Sequence, residues 1–364
     1  MKLSPLNQRR LSLFRNNSRG FWSLWIFIAL FGVSLVAPLI ANDRPLIASY
    51  KGELLWPLWN EYPESKFGGF LAKTNFRDPV NSDEISSNGW MLWPLIRYSF
   101  NTVNAELPAP APSKPAYLMG RDEACIKFPL KAQDMGCIAG NMNWLGTDDQ
   151  GRDLVARLLY GFRISVAFGL ILTVISSIIG IAAGAVQGYF GGWTDLLMQR
   201  FIDIWQSVPT LYLLIILSAF IQPNFWLLLF ILTLFSWTQL VHLIRAEFLQ
   251  ARNFEYVRAA KALGLADFKI MYRHVLPNAM VSSITFMPFI VAGSVTVLTS
   301  LDYLGFGLPP GSASLGELVS QGKNNLQAPW LGISIFVLSS LMLTLLIFIG
   351  EAARDALDPR KTFA

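Results

Sequence analysis

Long uncharged apolar runs alternate with shorter polar and basic segments along this chain. The first run is Phe21 to Ala41, with Trp22 and Trp25 at its start. The second is Ile164 to Phe190, and the third is Phe201 to Ile221, which carries Asp203 near one end. The polar break Gln222-Pro223-Asn224 separates it from the fourth, Phe225 to Ile244. The fifth runs from Ala279 to Leu301 and the sixth from Trp330 to Gly350. Each matches the roughly 20 apolar residues that a helix needs to cross a bilayer. The pattern predicts six transmembrane helices, with residues 161–350 forming the core around the last five. Phe21 to Ala41 follows basic residues, as a signal peptide would. It is longer than the 7–15 residue apolar stretch of a signal and lacks a small-residue cleavage site, so a retained span is expected.

Composition agrees. Of the 364 residues, 53% are hydrophobic and 15% charged, and the mean hydropathy is +0.42. A soluble domain carries about 25% charged residues. The net charge of +5 would suit nucleic acid in a soluble protein; in a membrane protein it belongs to cytoplasmic loops. The tail 1–20 has five basic residues and no acidic one, and Arg245 to His274 has six basic against three acidic. The tail from 351 to 364 adds Arg354, Arg360 and Lys361, whereas Lys323 is the one basic residue between the fifth and sixth runs. The positive-inside rule then puts both termini and the 245–278 segment in the cytoplasm.

Residues 42–160 would lie outside, with twelve basic and fourteen acidic residues. Leu107 to Pro115 is proline-rich and favours an extended linker. Both cysteines, Cys125 and Cys137, follow it. In an oxidising compartment they form a candidate disulfide, worth about 3 kcal/mol in the chain-entropy description; two free thiols are the alternative. Two cysteines without nearby histidines do not make a structural zinc site.

The cytoplasmic segment has its own organisation. Asn253 is a plausible helix N-cap, Glu255 suits a helix N-terminus, and Gly264 suits the position after a helix end. A second helix can start from Asp267, with Phe268, Met271, Tyr272 and Val275 on one apolar face and Pro277 ending it. Small Ala259 and Ala260 would admit another surface closely. A connection between two spans needs less than this, but the residues alone leave a plain loop and a docking surface both open.

Here a resemblance enters. Arg258-Ala259-Ala260, then Gly264, then Val275-Leu276-Pro277 resembles the cytoplasmic loop motif of ABC importer permeases, with Arg258 where the family usually has Glu. Further motifs resemble the oligopeptide and dipeptide permeases: Leu145 to Asp153, Arg157 to Ser165, Gly188 to Gly192, Ser300 to Gly307 and Arg354 to Arg360. Pro223 to Trp226, Gly322 to Gly332 and Phe21 to Phe27 are similar to the Yej-type branch, whose cargo is microcin C and oligopeptides. The resemblance covers about 144–360 and, more weakly, the first run; Pro108 to Gly140 looks like an insertion. It implies an all-α integral membrane protein with the six-helix type I importer permease (MetI-like) fold in a bacterial inner membrane. It implies ATPase coupling through Arg258, Ala259, Ala260, Gly264, Leu276 and Pro277. It also implies three partners: a second, homologous permease subunit, a cytoplasmic ATPase that binds ATP and Mg²⁺, and a periplasmic substrate-binding protein. This chain itself would hold no cofactor.

Ser176, Gly180, Gly184 and Gly188 recur every fourth residue, a stripe expected to pack helices closely. Asp203, Asp302 and His242 fall at span ends, where capping or solvation explains them better than an ion pathway. No phosphate-binding Gly-x-x-x-x-Gly-Lys-Ser/Thr loop occurs, and the two histidines offer no catalytic set. A stand-alone channel or secondary transporter would need mid-membrane ion sites, and nickel remains a possible cargo within the family.

Overall fold

The computed structural model describes residues 5–105, 107, 110–119 and 143–357. Cys125 and Cys137, and most of Pro108 to Gly140, lie outside the described residues. Helix α1 (Pro5–Asn16) precedes α2 (Ser18–Leu35) and the short α3 (Ala37–Ile40). Strands β1 (Ile47–Tyr50) and β2 (Glu53–Leu55), helix α4 (Pro79–Ser87) and strand β3 (Gly89–Leu92) follow. The remaining helices are α5 (Leu154–Phe190), α6 (Gly192–Gln206), α7 (Thr210–Ser218), α8 (Phe225–Ser236), α9 (Thr238–Ala251), α10 (Glu255–Ala262), α11 (Asp267–Ile270), α12 (Leu276–Tyr303), α13 (Leu315–Asn324) and α14 (Pro329–Leu357).

Five helical stretches among the described residues are long and apolar enough to cross a membrane: Ser18–Leu35, Leu154–Phe190, Phe225–Ala251, Asp267–Tyr303 and Pro329–Leu357. The third expected span, 201–221, is not one straight helix. It is the pair α6 and α7, bent by 54° at a short break. Pro209 sits at that break as the cap of α7; a proline disfavours helical geometry in the residue before it and cannot donate a hydrogen bond. α5 starts ten residues before its apolar run, because Asp153 Oδ1 accepts from the Ala156 N–H at 2.8 Å and starts the helix there.

The fifth span also differs from expectation. Pro277 does not end a helix; the helical stretch runs on from Asp267 to Tyr303. A π turn at Met271–Val275 makes this possible, with the Leu276 N–H bonded to the Met271 carbonyl. The wider turn eases the clash a proline ring would otherwise make with the carbonyl four residues back. Pro277 then occupies the first turn of α12, where its missing N–H costs little.

The chain divides into two compact units. The first comprises 1–29, 165–309 and 340–364; the second comprises 30–164 and 310–339. One core of the first unit gathers Phe168 and Leu172 of α5, Leu214 of α7, Leu228, Leu229, Ile231 and Leu232 of α8, and Leu298 and Leu301 of α12. The glycine stripe supplies a second contact there. A Cβ on Gly180 would lie 2.4 Å from the Trp237 carbonyl oxygen. One on Gly184 would lie 2.8 Å from that of Val241. One on Gly188 would lie 2.5 Å from that of Arg245. Only hydrogen fits, so the backbones of α5 and α9 meet directly.

The second unit is not wholly helical. Its segment after the first span carries a three-stranded antiparallel sheet in the order β2-β1-β3. One face packs Ala48, Tyr50 and Leu55 against Phe67, Phe76 and Ile85. Glu64 holds the neighbouring loop, accepting from Asn81 Nδ2 at 2.7 Å and from the Phe70 and Leu71 N–H groups at 3.1 and 3.0 Å. Strands this short give no clear alternation in sequence, and none was expected there.

Candidate functional site

Helix α10 is built from its ends inward. Its N-cap is Phe254, not Asn253. The chain leaves α9 through a tight turn in which the Phe254 N–H bonds to the Ala251 carbonyl. Asn253 instead turns its amide back to the Leu249 carbonyl at 3.3 Å. The C-terminus is a complete Schellman motif. The Leu265 N–H bonds to the Ala260 carbonyl at 3.2 Å and the Gly264 N–H to that of Lys261 at 2.9 Å. Gly264 takes φ 78°, a conformation costly for any residue with a Cβ.

Val257 and Ala260 form the buried face of α10. They join a core of Ala185 and Tyr189 from α5, Ile244, Phe248 and Ala251 from α9, and Ile270, Met271, Val275 and Ala279 around the start of the fifth span. One short helix therefore touches the ends of three spans. The two alanines are not equivalent: Ala260 is buried, whereas Ala259 is exposed beside Arg258, Ala262 and Leu263. Ala260 faces inward, where its small size serves the internal core, and Ala259 lies on the open side. Leu276 is partly buried against that core, and Pro277 is exposed.

Asp267 is likewise not a cap; Ala266 takes that position. Its carboxylate accepts from the Tyr189 hydroxyl at 2.6 Å and lies 3.6 Å from Lys261 Nζ. Lys261 also sits 4.9 Å above the Tyr189 ring. The end of α5 is thus clasped to the turn between α10 and α11. The apolar face expected of Phe268, Met271, Tyr272 and Val275 splits: Met271 and Val275 are buried, but Phe268 and Tyr272 are 77% and 68% exposed. The π turn is the reason, since its extra residue breaks the 3.6-residue repeat. Phe268 and Tyr272 instead border an apolar cavity of about 450 Å³ with Ile181, Ala185 and Phe248.

A second constellation lies in the other unit, in the segment that leads into α5. Asp148 is fully buried. Its Oδ1 accepts from the Gln150 and Arg152 N–H groups at 2.9 and 2.8 Å. Its Oδ2 accepts from Arg152 Nε at 2.7 Å and Arg157 Nη1 at 3.1 Å. Both arginines continue to Glu317 of α13, at 2.8 and 2.9 Å, and Arg157 Nη2 also donates to the Ser312 carbonyl at 3.1 Å. Gly151 at φ 79° lets the chain turn back over this cluster. Two guanidinium groups and two carboxylates balance, which is what burial demands. Burial holds the Glu317 carboxyl above its usual range, with Arg152 opposing. Asp153 is separate: burial pushes it up to about 7, and its Oδ2 has no hydrogen-bond partner among the described residues. The sequence motif from Leu145 to Arg157 pointed here by resemblance alone. The pairing with Glu317, some 160 residues later, had no local signal.

The edge residues are accounted for. Asp203 is exposed and 3.6 Å from Arg200. Asp302 Oδ1 accepts from the Leu308 N–H at 2.7 Å, closing the turn after α12.

Comparison with known proteins places these features. Residues 176–363 match the family described as binding-protein-dependent transport system inner membrane component. The peptidoglycan transport system permease protein YejE of Agrobacterium fabrum (strain C58) is 61% identical over 360 residues, 99% of this chain and 94% of that protein. The inner membrane ABC transporter permease protein YejE of Escherichia coli K12 is 54% identical over 361 residues, 99% of each chain. The oligopeptide transport system permease protein OppC of Lactococcus lactis IL1403 is 36% identical over 225 residues, 61% of this chain and 76% of that one. The similarity expected for 144–360 therefore extends over nearly the whole chain, the 42–143 segment included. By that full-length similarity and the family match, the chain belongs to the inner-membrane permeases of binding-protein-dependent ABC importers.

Proposed function

We propose that this chain forms half of a peptide-conducting pathway and is driven by a separate ATPase through α10. The observation that carries this reading is the seating of α10: two small buried side chains fix it to the ends of three spans, and its other side is open. A rigid lever of this kind transmits displacement of a docked motor to the spans, the two-state motion that alternating access requires. ATP and Mg²⁺ belong to the ATPase. A homologous permease subunit completes the pathway, a periplasmic binding protein delivers cargo, and both termini face the cytoplasm.

Peptide cargo is supported by relatives that are named for oligopeptides and for peptidoglycan. Short peptides, peptide-bearing cell-wall fragments and peptide-like cargo such as microcin C are the substrate classes to test. The experiment is co-purification followed by uptake. The tagged chain, isolated from its own membranes, brings down a second permease and an ATPase. Deletion of its gene abolishes uptake of a labelled peptide or muropeptide, and a plasmid copy restores it. Leu263→Asp on the open face of α10 keeps the chain in the membrane but releases the ATPase. Full ATPase retention and full uptake in that variant would remove α10 from the coupling role.

A further inference from the structure

The outer sheet has a second face that the described residues of its own unit leave bare. Strand alternation puts Ala48, Tyr50 and Leu55 on the core side. The opposite side carries Ile47, Leu54, Trp90 and Leu92, with Leu54 and Trp90 both aligned on Ser49 of the central strand. Trp56 continues the same side beyond β2 and pairs with Trp59, ring centroids 5.9 Å apart. Leu54, Trp59, Trp90 and Leu92 are 58%, 66%, 52% and 50% exposed. An apolar patch with three tryptophans and no charged member is unusual on a surface that meets only water.

Its location says what covers it. β1 begins six residues after Ala41, and α3 ends at Ile40, directly beyond the first span. The strand that follows α4 returns to the same point: the Ile96 N–H bonds to the Ile40 carbonyl at 2.9 Å and the Asn42 N–H to the Ile96 carbonyl at 3.1 Å. Leu92 is four residues from Ile96, so it lies within about 14 Å of the point where the chain leaves the membrane. That is the depth range in which tryptophan concentrates in membrane proteins.

We propose that this sheet face lies in the headgroup region of the leaflet where the first span emerges, so that the outer segment rests on lipid. The inference requires only that α2 crosses the bilayer; it is independent of the cargo and of the coupling role of α10.

The test uses the full chain with Cys125→Ser and Cys137→Ser, reconstituted in phosphatidylethanolamine–phosphatidylglycerol liposomes. An environment-sensitive dye is placed at Leu92→Cys or Leu54→Cys. The control is Asp83→Cys, on the exposed side of α4, whose Ile85 packs on the other face of the sheet. Lipids carrying a nitroxide near the headgroup quench the dye at 92 and 54 more strongly than lipids carrying it deep in the chain, and they leave the dye at 83 unquenched. Dyes at 92 and 54 that emit as in water overturn the proposal. So do dyes that are shielded but unquenched by any nitroxide lipid, since a protein surface would then cover the face. A second measurement avoids cysteine replacement: headgroup-proximal brominated lipid quenches less of the total tryptophan emission in Trp59→Phe/Trp90→Phe than in the parent chain. An unchanged quenched fraction also overturns it.

Discussion

Gly264 shows how one residue's backbone sets the end of a helix. Its φ of 78° is required by the Schellman turn, and no atom lies within 4 Å of the position of an added Cβ. Substitution there acts through conformation, not crowding. Gly264→Leu costs about 1–2 kcal/mol of local strain and displaces the turn that orients α10. We expect loss of uptake with normal membrane insertion, whereas Gly264→Asn, which tolerates this region, retains most uptake. Measuring both variants separates backbone geometry from side-chain contact. This position was legible in the sequence because helix ends favour glycine. The caps were not: Asn253 and Asp267 both looked like caps, but a tight turn and the Tyr189 hydroxyl engage them in other ways. Asp153 was less legible still, since its burial comes from residues distant in sequence. Its carboxyl binds a proton at about 7 in the folded chain, against 3.8 ordinarily. The folded state therefore holds more protons than the unfolded state between those values, and stability falls as pH rises through that window and levels off above it. In a fixed detergent, the apparent Tm should decline from about pH 4 to pH 7 and do so less steeply in Asp153→Asn, which keeps the capping oxygen. An equal slope in both chains would remove Asp153 as the source.

At the scale of elements, the glycine stripe and the buried ion network do different work. The stripe lets α5 and α9 touch along their backbones, so any side chain there separates them. Gly184→Leu should destabilise the protein by about 3 kcal/mol or more, in the range of overpacked cores. Gly293→Ala on α12, with open space around it, should be near neutral. Thermal unfolding of the two variants in one detergent makes the comparison. The four-residue interval of the stripe was visible in the sequence; that its partner is α9, and not a helix of another subunit, was not. The ion network ties the segment before α5 to α13 within one unit. Arg157→Met leaves Asp148 and Glu317 underpaired in a buried setting, a loss of about 3–5 kcal/mol for a broken buried pair. The double variant Arg157→Met/Glu317→Leu should recover part of that loss, and the apparent Tm of both reports it.

For the whole molecule, hydropathy alone locates most of the membrane-crossing segments, because a bilayer imposes one length on every span. It misses the bend at Pro209, the early start of α5 and the small sheet, which depend on a proline, a capping carboxylate and non-local strand pairing. Motor coupling belongs at this scale too: ATP-dependent uptake should vanish when the co-purifying ATPase is inactivated, with this chain still inserted.

The π turn at Met271–Val275 also governs which insertions and deletions the chain can accept. It holds one residue more than a regular helix would. Removing Tyr272 closes it to ordinary winding and leaves the flanking helical segments close to their present phase, because the wide turn absorbs the extra residue. It also sets the Pro277 ring against a carbonyl. A one-residue deletion here should thus be more damaging than the loss of a residue from the loop after Tyr303, although both leave the composition of the spans unchanged. The spare residue makes room for Pro277 while keeping the segment before it in phase with the fifth span.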